Sequence, residues 1–139
     1  MSVADDKLDI LDLISRFSHT FDGSDPDAFA DVFSDTGVFT ERIGGQDFVR
    51  GRGRKELRAF AQGDVDKRKT NQPRHHVRNT IFTEMTANRT VTRTYFLTTN
   101  VGGAGKLATV TGTGIYEDES VRTPKGWRIN RRIAIHDIS

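Results

Sequence analysis

The chain has no cysteine, which excludes disulfides, thiolate metal sites and a cysteine nucleophile. It also lacks any unbroken apolar run near the roughly 18 residues that a membrane span requires. The opening Met-Ser-Val-Ala-Asp-Asp has neither the basic nor the apolar region of a signal peptide. These absences lead to the expectation of a cytoplasmic protein with no membrane partner. Net charge is low, at +2, so the chain is not a uniformly basic binder of polyanions.

That small net charge hides an uneven distribution. Aspartates crowd the segment from Asp5 to Asp35 against only Lys7 and Arg16, whereas Arg50 to Arg78 is rich in arginine and lysine. Phe60 is the lone Phe, Tyr or Trp in the basic run, which therefore lacks the interleaved aromatics that stacking platforms for bases require. It reads as a solvated face or a complement to the acidic segment, and no nucleic-acid partner is expected. With 139 residues, 35% of them hydrophobic and nine of them phenylalanine, the chain suits one domain, 1–139, built around a single core.

Ser2 and Asp5 suit the cap and third position of a helix start. Ile10, Ile14, Phe17 and Phe21 then recur at helical spacing, which predicts an amphipathic helix from Val3 to Asp22. Gly23 reads as a left-handed terminator, and Asp25-Pro26 restarts a helix that carries Phe29, Val32 and Phe33 inward. Asp35-Thr36-Gly37 reads as a turn, Val38–Ile43 as a strand, Gly44-Gly45 as a turn and Phe48–Arg50 as a short strand. Arg54–Ala61 forms a third helix, and the charged, aperiodic segment Gln62–Pro73 is expected to be a mobile lid. The rest is β: strands at Arg74–Met85, Arg89–Asn100, Lys106–Asp118 and Trp127–Ile138, with a hairpin tip at Gly102–Gly105. This order predicts an α+β fold, a curved, mainly antiparallel mixed sheet with three helices on its concave side, forming a cone with an interior pocket.

Two distant stretches carry the chemistry. Alternation along a strand places His75, Val77 and Asn79 on one face and His76 and Arg78 on the other. Asp22 ends the first helix, where a carboxylate opposes the macrodipole. If helix and strand pack together, Asp22 meets His75, and a carboxylate-oriented imidazole is a general base. Phe17, Phe21 and Phe96 would wall an apolar pocket. Thr98 would share the face of Phe96, and Gly112 would leave room for a ligand. Adjacent His75 and His76 point apart, so no metal site is expected.

The order of elements resembles the nuclear transport factor 2-like superfamily, and within it the SnoaL-like branch. The resemblance rests on Phe17-(x)4-Asp22-Gly23, Asp27-Ala28-Phe29, Arg50-Gly51-Arg52, His75-(x)3-Asn79, Tyr116-Glu117-Asp118 and Gly126-Trp127-Arg128-Ile129. That branch includes scytalone dehydratase, bile-acid dehydratases, a dehydrochlorinase and polyketide cyclases, and it borders the non-catalytic small subunits of ring-hydroxylating dioxygenases. The resemblance implies catalytic roles for Asp22 and His75. Where scytalone dehydratase has a tyrosine before that aspartate, this chain has Phe21, so tyrosine-assisted dehydration of scytalone itself is not implied.

The expected function is a cofactor-free lyase or isomerase, dehydratase-like, that abstracts a proton from a hydrophobic, ring-containing small molecule. The alternatives are a ligand-binding or assembly module and a polyketide cyclase. Val91, Tyr95 and Leu97 alternate with the inward Phe96, so an apolar outer sheet face is expected to be covered in a homodimer or homotrimer.

Overall fold

The computed structural model describes residues 2–103, 105 and 107–138. Helix α1 spans Val3–Asp22, and its predicted capping box is present: the Ser2 side chain accepts from the Asp5 N–H while Asp5 reaches back to the Ser2 N–H. Its buried stripe is Ile10, Leu13, Ile14, Phe17 and Phe21. The helix does not end on a left-handed Gly23, whose φ is −80°; the positive φ falls on Ser24. Glycine is needed at 23 for proximity instead, because a Cβ there would lie 2.6 Å from the His19 carbonyl oxygen. Asp25 then caps α2 (Pro26–Asp31) by accepting from the Ala28 N–H.

Strand β1 (Phe33–Ile43) begins earlier than expected. Phe33 is its first residue, not part of the helix, and the predicted turn at Asp35-Thr36-Gly37 is a bulge inside the strand. Ser34 and Thr36 donate to Asn130 Oδ1 across that bulge, which satisfies hydroxyls the distorted ladder would strand. Gly44 and Gly45, both with positive φ, turn the chain into β2 (Gln46–Arg52).

Helix α3 spans Gly53–Arg68, overturning the expected lid. Gln62–Asp66 and Asp64–Arg68 form i,i+4 bonds that hold the segment helical without an apolar stripe. The remaining strands are β3 (Gln72–Met85), β4 (Arg89–Val101), β5 (Ala108–Thr123) and β6 (Gly126–His136). Ala104 of the predicted hairpin tip, and Lys106 of the predicted strand start, lie outside the described residues.

The six strands are ordered β2-β1-β6-β5-β4-β3. Every neighbouring pair is antiparallel except β1 with β6. The sheet is not closed, and with its three helices it makes the α+β cone. The core joins α1, α2 and α3 to the inner faces of β1, β4, β5 and β6 through Ile14, Phe17, Phe29, Leu57, Phe96 and Ile129. Asp6 pins the start of α1 to the sheet: Trp127 Nε1 and Arg122 Nη2 both donate to its Oδ1, and those bonds hold its carboxyl below the usual carboxylate range. No described helix is long and apolar enough to cross a membrane.

Candidate active site

Asp22 closes α1 with only 5% of its surface exposed. Its two carboxylate oxygens grip one residue of β3. Oδ1 accepts from His75 Nδ1 at 2.6 Å, and Oδ2 accepts from the His75 backbone N–H at 2.7 Å. The network therefore assigns the Nδ1–H tautomer and leaves Nε2 for a substrate. The rings of Phe17 and Phe21 stand edge-on to the imidazole, with centroids 6.3 and 5.3 Å away, so the ring has little freedom to turn.

A carboxylate at a helix C-terminus needs compensation, and Arg68 supplies it from the end of α3. This buried guanidinium donates to the Asp22 carbonyl at 2.8 Å, to Ser24 Oγ at 2.9 Å and to the Phe21 carbonyl. Gln72 Nε2 adds a second donor to the Asp22 carbonyl. The segment expected to open over the pocket instead fixes the backbone that carries Asp22.

Inside the cone, His75 borders a narrow cavity of about 70 Å³. Phe17, Phe21, Phe96 and Thr98 line it as expected, joined by Phe39, Phe60 and Ala134. Three further polar residues, which sequence reasoning missed, also face it: Tyr116, Glu41 and His136. Burial raises the Tyr116 phenol well above its ordinary pKa, so the hydroxyl stays protonated and can only be asked to donate a proton-bearing bond to developing charge. Behind it lies Arg132, fully buried, bonded twice to Asp118 at 2.7 and 2.8 Å and stacked over the Tyr116 and Phe17 rings at 3.9 and 4.3 Å.

The signal for the missed residues was strand alternation. Glu41 falls two places after Phe39 on β1, and His136 two places after the buried Ala134 on β6. Which face of each strand was inward could not be known without the sheet order.

Three expected pocket residues do not line the cavity. Asn79 sits at a bulge in β3, where the register shifts between Arg78 and Ile81, and it takes a φ of +59°. The bulge moves the alternation on by one, so Asn79 is exposed and Thr80 turns inward to bond Thr94. Val77, the cross-strand partner of Phe96, packs against the core rather than bordering the cavity. Gly112 pairs with Thr98, and a Cβ there would lie 3.1 Å from Thr98 Oγ1; its bareness accommodates the Thr98 hydroxyl, which bonds Thr111 at 2.8 Å. His76 bonds Thr99 on the outer side. Among the described residues, no cluster of three or more His, Asp or Glu side chains is arranged to hold a metal ion.

A helix-capped, curved mixed sheet with this strand order defines a nuclear transport factor 2-like protein. The SnoaL-like domain matches residues 2–133, and the chain belongs to that family. Comparison with curated protein sequences found no match. Among solved structures, it is similar to a substituted form of Rv3472, a protein of unknown function from Mycobacterium tuberculosis. The identity is 24% and the TM-score 0.82, covering 100% of this chain and 78% of the other. A Novosphingobium aromaticivorans protein provisionally named an aromatic ring hydroxylase is 27% identical with a TM-score of 0.80, covering 100% and 94%. The β subunit of a provisionally named aromatic-ring-hydroxylating dioxygenase from the same organism is 13% identical with a TM-score of 0.77, covering 94% and 88%; at that identity the likeness concerns the fold alone.

Proposed function

We propose that the protein is a small lyase or isomerase, dehydratase-like, that uses its own side chains to abstract a proton from a hydrophobic ring compound. The observation that carries this reading is the two-point grip of Asp22 on His75. It aims Nε2 into an aromatic-walled cavity, as a general base requires. Nε2 takes a proton from a carbon beside a carbonyl, and the facing Asp22 carboxylate stabilises the imidazolium that forms. The electron pair moves onto the carbonyl oxygen, where the Tyr116 and Thr98 hydroxyls are the available donors.

The test is exchange of α-protons of small cyclic ketones with solvent deuterium, followed by NMR. Wild-type protein should accelerate exchange, and Asp22→Asn should lower the rate by about 10²-fold or more, the range a positioned base contributes. His75→Ala should abolish it with the circular dichroism spectrum unchanged. Full activity in folded His75→Ala protein would eliminate the mechanism. The small cavity volume favours a second reading, an assembly module whose pocket is filled largely by its own side chains. That reading expects neither exchange nor retention of a ring compound.

A further inference from the structure

The wall of the cavity opposite His75 carries a second imidazole held by a carboxylate. His136 Nε2 lies 3.0 Å from Glu41 Oε1, and Arg50 Nε donates to Glu41 Oε2 at 2.6 Å. Glu41 is thus fixed at both oxygens, and the Phe96 ring stands edge-on to His136 with centroids 5.3 Å apart. Residue 114, the partner of His136 on β5, is glycine. A Cβ there would lie 2.6 Å from the Phe96 ring, so the bare backbone is what lets that ring pack against His136. We propose that His136, positioned by Glu41 and Arg50, is a second acid–base residue of this pocket. It returns a proton to a different substrate atom from the one His75 deprotonates. The inference rests on the reading of His75 as base.

The case for two residues rather than one shuttling base is geometric. His75 is tied to Asp22 through ring and backbone and flanked by two phenylalanine rings, so its Nε2 serves a single position. A proton destined for another atom needs another donor. β3 and β6 are separated by β4 and β5. At about 4.8 Å per strand, the two backbones are roughly 14 Å apart, and both imidazoles border the same cavity.

The step balances without an external oxidant or reductant. The C–H bond at the α-carbon breaks and its proton passes to His75 Nε2. Its electron pair forms the new C=C bond as the carbonyl becomes an enolate. The pair then returns through the conjugated system to form a C–H bond at the γ-carbon, with a proton from the His136 imidazolium. His75 leaves protonated and His136 neutral, and exchange with water restores both.

Two probes separate this inference from the reading beneath it. Deuterium exchange into 2-tetralone needs only the base, whereas conversion of 3-cyclohexenone into 2-cyclohexenone needs removal and return at different carbons. His136→Gln should lower the ratio of isomerisation to exchange by about 30-fold or more, while His75→Gln suppresses both. An unchanged ratio in His136→Gln, whether both rates hold or both fall together, overturns the inference and leaves His75 as base. Wild-type protein inert toward both probes overturns the base reading, and this inference with it. Should His136→Gln fail to fold, ¹⁵N NMR of the wild-type protein with 2-naphthol decides. The imidazole signals of His75 and His136 should both move at saturation, and a response at His75 alone rejects the second station.

Discussion

Replacing Arg68 by alanine tests whether the end of α3 holds the site in place. In the folded protein this guanidinium makes three hydrogen bonds to the end of α1, at the Phe21 carbonyl, the Asp22 carbonyl and Ser24 Oγ. It also pairs with Asp64 at 2.6 Å. Hydrogen bonds from a charged donor contribute about 1.5–3 kcal/mol each when removed singly. They are not additive, and the pair with half-exposed Asp64 contributes under about 1 kcal/mol. Gln72 still serves the Asp22 carbonyl in the variant, so the expected loss is about 3–4 kcal/mol rather than the full sum. For a chain of this size that corresponds to a fall in Tm of roughly 10–15 °C. Urea unfolding followed by far-ultraviolet circular dichroism, and by fluorescence of the single, buried Trp127, measures it directly. Arg68→Lys keeps the charge but not the fork, and should recover less than half of the loss. A destabilisation below about 1 kcal/mol would refute the claim that Arg68 clamps α1. Rapid amide exchange at residues 62–68 in the wild-type protein would refute it independently, and would restore the reading of that segment as a lid.

Arg132→Met should cost about 3–5 kcal/mol by leaving the Asp118 carboxylate buried and uncompensated, and adding Asp118→Leu should recover most of it; a double variant no more stable than the single one contradicts this account. Asp6, whose folded pKa is lowered by Trp127 and Arg122, contributes stability that is present above its unfolded pKa near 3.8 and lost as pH falls through the lower folded value. The stability gap between wild type and Asp6→Asn should therefore be widest above about pH 5 and close as pH falls through the lowered folded pKa, and a gap that widens on acidification contradicts it. The outer sheet face leaves Tyr95, Leu97 and Val110 exposed, so light scattering at micromolar concentration should give a dimer or trimer mass, which a monomer mass would disprove.

Elements set by local chemistry were legible in the sequence. The capping box and apolar stripe fix α1 from Val3 to Asp22, and paired glycines fix the β1–β2 turn. The Asp22–His75 contact was conditional on helix and strand packing together and was implied by the family resemblance; the structure forms it. What failed depended on long-range partners. Gln62–Arg68 shows no apolar stripe, yet Arg68 is buried because it finds carbonyls 46 and 47 residues away. Asn79 was misplaced because a single bulge reverses strand alternation without any proline or glycine to announce it. Glu41 and His136 each look like surface residues until β1 lies beside β6.

That parallel pairing of β1 with β6 has a kinetic consequence during synthesis. Asp22 and His75 are 53 residues apart, whereas Glu41 and His136 are separated by 95. The equilibrium penalty for the longer closure is slight, about 0.5 kcal/mol. The delay is not: at about 5–20 residues per second, a ribosome needs roughly 5–20 s to deliver β6 after β1. Throughout that interval β1 has the hairpin partner β2 on one side and a bare edge on the other, a template for pairing with a neighbouring nascent chain. Glu41 and Arg42 stand on that strand, and charges on an unpaired edge discourage such pairing. In a chain still being made, Glu41, which positions the proposed second proton station, would first serve as protection against aggregation.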